Sequence, residues 1–316
     1  MGLPLGLLLV LQQPIIVDGH IDTPQRMLDM KADITARLTD GHIDVPRMRE
    51  GGLTAAFFSI WVDARYARGT AFQRALDLIG AVRALADTNR DVELATTAAE
   101  VRAAAARGHI AALMGVEGGH AIENSLEKLD SLYRLGVRYM TLTWNNGNDW
   151  AGSSSDPERH GGLTSFGGQV VGRMNQLGML VDVSHVSDAT FRDVLATTTR
   201  PVIASHSSCR ALAHHRGRPG ESAFEVDKFV GRHAESLDVP TIDRLVDHID
   251  HAVQVMGIDH VGLGSDFDGI SVLPRPMKDA TSLPELVRVL EARGYSDGDV
   301  RKILGENFLR VLTAGP

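Results

Sequence analysis

Residues 167–206 read GGQVVGRMNQLGMLVDVSHVSDATFRDVLATTTRPVIASH, and this stretch contains the pattern that decides the fold. A segment with helical periodicity at 167–177 precedes a short apolar run at 179–183, and a second apolar run follows at 202–204. Short apolar runs that alternate with helical segments are typical of parallel strands connected by helices. Both runs are followed by Ser-His, at His185 and His206.

The same alternation extends over the rest of the chain. Further apolar runs lie at 15–17, 54–62, 110–116, 138–143 and 260–264. Further helix-like segments lie at 74–86, 125–135 and 242–255. The number and spacing of these runs favour a closed (β/α)₈ barrel of the TIM type over an open sheet. A barrel of this kind fits the whole chain, residues 1–316, as a single domain.

Most of the apolar runs are followed by an acid or a histidine. The residues at these positions are Asp18, His20, Asp22, Glu117, His185, His206 and Asp266. In a barrel of parallel strands the carboxyl ends of the strands meet at one mouth, which is where active sites form. The sequence therefore predicts a functional site built from these side chains.

Their chemical types indicate a metal site. His20 and Asp22 are two residues apart, so in a strand they face the same side. Glu117 ends an apolar run, where a carboxylate is costly to bury without a partner. Its two oxygens suit a bridge between two cations. His185 and His206 end consecutive runs, and neutral imidazoles are good zinc ligands.

Together these residues predict two zinc ions per chain, bridged by Glu117. His20 and Asp22 are expected to hold one ion, and the two later histidines the other, although manganese or iron could use the same ligands. Two ions about 3.5–4 Å apart acidify a water molecule and polarise a carbonyl oxygen. Asp266 ends the last run and is predicted to move protons as the acid/base.

Three nearby residues are assigned other roles. The tetrapeptide Gly-His-Ile-Asp at 19–22 occurs again at 41–44, but no strand-like run precedes the second copy. His42 and Asp44 are therefore expected to be structural. His120 follows two glycines after Glu117, and we expect its side chain to turn outwards from the site.

Composition excludes several classes of partner. The formal charge is −8, and no cluster of Lys and Arg with interleaved aromatic residues occurs, so nucleic acid is not an expected partner. The only cysteine, Cys209, excludes an internal disulfide and fits the cytoplasm. The apolar run at 3–11 lacks a preceding basic residue and a cleavage site, and is too short to span a membrane. Neither a secretory signal nor a membrane span is expected.

Several long motifs resemble those of the membrane (renal) dipeptidases and their bacterial relatives. They include VDGHIDTP at 17–24, the segment at 115–144 that begins GVEGGH, VDVSHVS at 181–187, ASHSSCRAL at 204–212 and GLGSDFDGI at 262–270. The resemblance covers most of residues 15–313. It implies a binuclear zinc barrel that hydrolyses dipeptides, often with a D-residue at the carboxyl-terminal position. It also implies the same ligands and the same role for Asp266.

Two positions depart from the pattern of that family in the substrate site. Many members carry a histidine that orients the scissile carbonyl where this chain has Trp144. An indole N–H can donate a hydrogen bond but cannot take up a proton. The arginine that clamps the substrate carboxylate aligns with Gly217, so Arg216 and Arg218 are the candidates for this contact.

A third departure concerns the barrel itself. The family has a seventh strand before SDFDG, whereas residues 219–240 of this chain are charged and helix-like. The seventh strand is therefore expected to be missing, irregular or supplied by a partner. An open edge of a sheet favours pairing, so a homodimer is a further expectation.

Two alternative functions remain open at this point. An amidohydrolase or esterase acting on small amides, lactams or lactones is suggested by Trp144 and by the unmatched arginine. A metal-binding protein that has lost catalysis is suggested by the absent strand, since intact ligands alone do not guarantee activity.

Overall fold

The computed structural model describes residues 14–156, 158–159, 161–212 and 239–313. Its strands are β1 (Ile16–Ile21), β2 (Leu53–Trp61), β3 (Val92–Leu94), β4 (Ile110–Glu117), β5 (Val137–Thr141), β6 (Leu180–Asp182) and β7 (Val202–Ile203). Its helices are α1 (Thr23–Asp29), α2 (Val45–Glu50), α3 (Ala71–Thr88), α4 (Ala98–Ala106), α5 (Leu126–Arg134), α6 (Ser165–Leu177), α7 (Asp188–Thr197), α8 (Ile242–Met256), α9 (Leu283–Ala292), α10 (Asp297–Arg301) and α11 (Asn307–Thr313).

All seven strands belong to one parallel sheet. Its order is β1-β2-β4-β5-β6-β7, and the short β3 pairs with the beginning of β4. Helices follow most of the strands, as expected where parallel strands need crossover connections. The predicted α/β barrel of parallel strands is confirmed, as a curled sheet with irregular strands.

The segment at 263–267, which we call the closing segment, pairs with β1 without forming a regular strand. Isolated bridges pair Asp18 with Leu263 and Ile21 with Phe267. The backbone N–H of Gly19 donates to the Leu263 carbonyl at 2.8 Å, and that of Asp22 to the Phe267 carbonyl at 2.8 Å. The strand expected at 260–264 is thus replaced by a looser pairing over 263–267.

Close approach between this closing segment and the end of β7 depends on a glycine. A Cβ atom added at Gly264 would lie 1.7 Å from the Ser205 carbonyl oxygen, which no side chain tolerates. Residues just after β7 therefore contact the closing segment directly. The seventh strand that was expected to be missing or irregular would fall at 219–240, and residues 219–238 lie outside the described part of the chain.

Alternation along the strands separates an inner from an outer core. In β2, Ala55 and Phe57 belong to the inner cluster, whereas Ala56 and Phe58 belong to the outer cluster beneath the helices. Inward-facing side chains of several strands fill the barrel, as they do in TIM barrels. The same alternation continues to the ends of β2 and β4, and it directs their last inward-facing residues towards the mouth.

The described helices include none that is long and apolar enough to cross a membrane. Arg216 and Arg218, and the apolar run at 3–11, lie outside the residues that the structure describes.

Candidate metal centre

Six of the predicted side chains meet at the carboxyl end of the sheet. His20 Nε2 lies 3.1 Å from Glu117 Oε2, 3.7 Å from Asp22 Oδ1 and 3.9 Å from Asp266 Oδ1. Glu117 Oε1 lies 3.0 Å from His185 Nε2 and 3.6 Å from His206 Nε2. The side chains predicted to form the metal site are therefore close together in space.

Glu117 touches both sides of this cluster because it ends β4. Along β4, Leu113 faces the inside of the barrel, and the side-chain period of two directs Glu117 the same way. Its Oε2 accepts a hydrogen bond from Ser59 Oγ at 3.2 Å, and the residue is 2% exposed. One oxygen faces His20 and the other faces the two later histidines.

His20 is placed by an irregularity in β1 rather than by regular alternation. The register of β1 against β2 shifts between Asp18 and Ile21. Such a shift re-aims side chains at the end of a strand. Asp22 lies just beyond β1, at the amino end of α1. His20 and Asp22 are therefore neighbours in space, as expected from their spacing of two residues, although they do not lie within one regular strand.

Two of the clustered residues have backbone conformations that side chains rarely adopt. The φ angles are 65° at His185 and 56° at Asp266. A positive φ in a residue other than glycine costs free energy, and such residues are concentrated at functional sites. Both conformations occur at turns immediately after strands or bridges, where they direct the side chains into the cluster.

The outer nitrogen of each imidazole is held by a hydrogen-bond acceptor. His20 Nδ1 lies 2.7 Å from Tyr139 Oη, whose hydroxyl donates to the Gly19 carbonyl, so Nδ1–H donates to the tyrosine. His185 Nδ1 lies 3.1 Å from Asn145 Oδ1. A third acceptor, Ser205 Oγ, lies 2.9 Å from His206 Nδ1.

In the neutral form of each imidazole, these contacts place the ring proton on Nδ1 and direct the Nε2 lone pair inwards. Acceptors of this kind are typical outer partners of metal-binding histidines. His185 Nε2 and His206 Nε2 lie only 2.8 Å apart, and both also face Glu117. Lone pairs and carboxylates that point at one another repel unless a cation lies between them.

A further observation fits a cation. Asp22 Oδ1 is buried and receives no hydrogen bond from the described residues. Two sets of three ligand atoms lie within 4.8 Å of one another: His20, Glu117 and His206, and His20, Asp22 and Asp266. Imidazole and carboxylate ligands suit zinc. The residues present therefore fit the metal that the sequence predicts.

The pKa values reflect this crowding of charges. Burial alone would raise the pKa of Glu117, but His20 and His185 hold it well below its usual range. Burial lowers the pKa of His20, yet Tyr139 and Glu117 outweigh it and raise the value well above normal. For Asp266, burial and then the neighbouring Asp22 raise the pKa well above that of an ordinary aspartate. Glu117 is therefore negatively charged in the cluster, where its carboxylate can attract a cation.

Two buried aspartates support the backbone behind the cluster: Asp18, which the sequence predicts at the site but without a role, and Asp182, which it does not indicate. Asp18 Oδ1 accepts the N–H groups of His20 at 3.1 Å and Ser265 at 2.9 Å. Asp182 Oδ1 accepts those of Ser184 at 3.1 Å and Ser205 at 2.9 Å. The signal that could have found them is a charged residue inside an otherwise apolar run.

His42 and Asp44 have the structural roles expected of them. Asp44 caps α2 by accepting from the Arg47 backbone N–H at 2.7 Å. His42 Nδ1 accepts from the Asp268 N–H at 3.0 Å, so the two segments fix each other.

His120 is buried, and it belongs to neither set of converging ligand atoms. The residue is 7% exposed, and neither ring nitrogen has a hydrogen-bond partner among the described residues. Burial lowers the pKa of its imidazole.

Two tryptophans lie at the mouth beside the cluster. Trp61 ends β2 in register with Glu117, and its indole packs edge-on against that of Trp144, with ring centroids 5.0 Å apart. Because Ser59 contacts Glu117, strand alternation puts Trp61 on the same inner face, one step closer to the opening. The sequence did not indicate Trp61 as a site residue, although Trp61 lies near the end of the apolar run at 54–62.

Comparisons with known proteins identify the family that this chain resembles. A family model described as membrane dipeptidase, peptidase family M19, matches residues 8–218 and 227–315. Dipeptidase verJ of Clonostachys rogersoniana is 35% identical over 327 residues, covering 94% of this chain and 83% of that protein.

Solved structures show similar folds. The crystal structure of a metallo peptidase described as dipeptidase AC, of family M19, is 28% identical, with a TM-score of 0.82 and coverage of 96% of this chain and 98% of that chain. A metallo peptidase from Rhodobacter sphaeroides, liganded with a phosphinate mimic of the dipeptide L-Ala-D-Ala, is 27% identical. Its TM-score is 0.80, and the match covers 96% of this chain and all of that one.

Proposed function

The chain belongs to the membrane dipeptidase family, peptidase family M19, and from this premise we propose that it hydrolyses dipeptides with the help of two zinc ions. The family makes it a metallo-dipeptidase and implies zinc as the metal. The number of ions, the roles of individual residues and the preferred dipeptide are parts of the proposal.

The observation that carries the proposal is the convergence of three Nε2 lone pairs on one carboxylate. Glu117 presents Oε2 to His20 and Oε1 to His185 and His206. A carboxylate in this position suits a bridge between two ions, with Asp22 completing the ligands on the His20 side.

Zinc ions at such a site acidify water and polarise the carbonyl of the scissile amide. Asp266 is the residue we propose as acid/base, because its carboxylate lies beside His20 and Asp22 without belonging to the bridging group. It takes the proton of the attacking water and delivers it to the amine that leaves. Proton transfer by a positioned side chain of this kind contributes about 10²–10⁴-fold to a rate.

Trp61 and Trp144 are proposed to contact the side chain of the substrate. Their paired indoles form an apolar surface next to the cluster, and aromatic packing favours apolar groups. Arg216 or Arg218 remains the proposed contact for the substrate carboxylate.

A D-residue at the carboxyl-terminal position is proposed as an accepted substrate feature. Its support is the relative from Rhodobacter sphaeroides, which was solved with a phosphinate mimic of L-Ala-D-Ala. That relative matches this chain over nearly its full length, so its ligand is a reasonable guide to the class of substrate.

The test combines metal content with hydrolysis. Purified protein is analysed for metals by mass spectrometry and assayed on L-Ala-D-Ala, L-Ala-L-Ala and a matched small ester. We expect two zinc ions per chain and hydrolysis of the D-containing dipeptide that a chelator abolishes and added zinc restores. Ester hydrolysis without dipeptide hydrolysis would contradict the proposed substrate, and protein that takes up no metal on reconstitution would contradict the site.

A further inference from the structure

Asp182 is a completely buried carboxylate that lies behind the metal cluster rather than in it. It ends β6, is 0% exposed, and belongs to neither set of converging ligand atoms. A carboxylate buried in this way is costly unless it accepts several hydrogen bonds. Four donors surround it, and all of them belong to residues next to the histidines or to the neighbouring strand.

Oδ1 of Asp182 fixes the backbone that carries both histidines. It accepts the N–H of Ser184 at 3.1 Å and the N–H of Ser205 at 2.9 Å. These serines immediately precede His185 and His206. One carboxylate oxygen therefore ties the turn after β6 to the turn after β7.

Oδ2 of Asp182 accepts hydrogen bonds from two hydroxyl groups. It accepts from Ser205 Oγ at 2.6 Å and also from the hydroxyl of Thr141. The proton of Ser205 is thereby committed to the carboxylate, so a lone pair of Oγ faces His206 Nδ1 at 2.9 Å. The imidazole must donate from Nδ1, which leaves Nε2 free of a proton.

We infer that Asp182 is a positioning residue that acts through Ser205 to set which nitrogen of His206 carries the proton. The inference rests on the proposed function, because it is Nε2 of His206 that is proposed to bind zinc. An imidazole whose outer N–H is held by an acceptor is both oriented and made a better ligand.

Asp18 provides a matched control on the opposite side of the mouth. Its Oδ1 also accepts two backbone N–H groups, those of His20 and Ser265, and Ser265 immediately precedes Asp266. The outer nitrogen of His20, however, is held by Tyr139 rather than through Asp18. The two aspartates therefore share the backbone role, and only Asp182 reaches the proton of an imidazole.

The substitution Asp182→Asn separates the two roles. The asparagine keeps an oxygen for the backbone N–H groups and turns its amide nitrogen towards Ser205 Oγ. Since that nitrogen donates, the serine must donate to His206 Nδ1, and the ring proton moves to Nε2. In this tautomer the nitrogen that faces the cluster cannot bind a metal ion.

The experiment measures zinc affinity by competition with a chromophoric chelator for wild type, Asp182→Asn, Ser205→Ala, Ser205→Thr and Asp18→Asn. We expect Asp182→Asn to weaken the affinity about 10–100-fold and Ser205→Ala to weaken it about 10-fold. Ser205→Thr, which keeps the hydroxyl, should restore the wild-type value. Asp18→Asn should change the affinity less than either loss variant.

Nitrogen NMR of the histidine rings in zinc-free protein provides a second readout. It should show the proton of His206 on Nδ1 in the wild type and on Nε2 in Asp182→Asn. A merely structural role would lower the melting temperature but leave both the tautomer and the zinc affinity of the folded protein unchanged.

The outcomes separate this inference from the proposed function. A wild type that binds zinc, together with folded variants that bind it equally well, would overturn the inference alone. A wild type that binds no zinc would overturn the proposed function and the inference with it. If Asp182→Asn does not fold, Ser205→Ala decides, because it removes a single hydroxyl from the same chain of hydrogen bonds.

Discussion

Each side of the barrel mouth has a buried aspartate that accepts backbone N–H groups next to site residues, but the two aspartates differ in their contacts with side chains. On one side, Asp18 accepts the N–H of His20 near the end of β1 and the N–H of Ser265 in the segment that carries Asp266. On the other side, Asp182 supports the turns that carry His185 and His206. Each aspartate uses Oδ1 for the N–H of a serine that precedes a site residue.

The difference lies in what else each carboxylate reaches. Asp18 accepts the backbone N–H groups of His20 in β1 and Ser265 in the closing segment, so it fixes the backbone of these two segments. Asp182 also contacts the hydroxyl of Ser205, so it influences the chemistry of a ligand. A buried aspartate can therefore fix the backbone at one strand end and also affect the position of a proton at another. The two differ because the serine hydroxyl that Asp182 contacts faces the Nδ1 atom of His206.

The largest expected effect comes from the residue that joins the two sides. Glu117→Gln removes the charge that faces His20 on one oxygen and His185 on the other. Zinc content should fall on both sides together, and activity should fall by more than the roughly 10²–10⁴-fold that loss of a positioned acid/base costs. Metal analysis and dipeptide assays check this result. Glu123→Gln is the control, because Glu123 pairs with Lys128 away from the cluster.

A smaller effect, confined to the β1 side, is expected from Asp266→Asn. The amide keeps the size of the side chain but cannot accept and deliver a proton, so kcat should fall about 10²–10⁴-fold. Zinc content should remain that of the wild type, since Glu117 and the histidines are intact. Steady-state kinetics on L-Ala-D-Ala measure the change, and a variant with full kcat would exclude Asp266 as the acid/base.

Tyr139→Phe tests the acceptor of His20 on the β1 side. It removes the hydroxyl that accepts from His20 Nδ1, and we expect zinc affinity to weaken about 10–100-fold. Chelator competition measures it. In Tyr295→Phe a tyrosine loses its hydrogen bond to Asp250, far from the cluster, and zinc affinity should not change. Equal affinities in both variants would mean that the hydroxyl of Tyr139 contributes nothing to metal binding.

The smallest expected effect concerns the junction between the two sides. Gly264→Ala would place a methyl group 1.7 Å from the Ser205 carbonyl, so the closing segment must shift. We expect the free energy of unfolding to decrease by about 1–3 kcal/mol. Gly262→Ala is the control, because the atom nearest to its added Cβ, in the Phe308 ring, lies 3.9 Å away. Urea denaturation that gives the same stability for both variants would contradict this close packing.

Much of the fold could be predicted because the strands are short apolar runs that alternate with amphipathic helices. The predicted helix at 167–177 is α6, and the runs at 54–62 and 110–116 are β2 and β4. The short β3 was not predicted, because a strand of three residues shows too little periodicity. The run at 260–264 forms only bridges, because its pairing with β1 is set by contacts distant in sequence.

The candidate ligands could be predicted for a related reason. A histidine or acid at the carboxyl end of a barrel strand lies at the mouth of the barrel, and Glu117, His185 and His206 follow this rule. Their outer partners could not be predicted, because Tyr139, Asn145 and Asp182 meet the ligands only after the strands are in register. Whether a serine beside a histidine accepts or donates depends on a third residue, which spacing in the sequence does not reveal.

The central claim is that two zinc ions lie between the two sides of the mouth with Glu117 as their bridge. Anomalous diffraction from crystals of the zinc-loaded protein, recorded at the zinc absorption edge, tests it most directly. The account predicts two peaks about 3.5–4 Å apart, one beside His20 and Asp22 and the other beside His185 and His206. A single peak, or peaks that Glu117 does not contact, would contradict it.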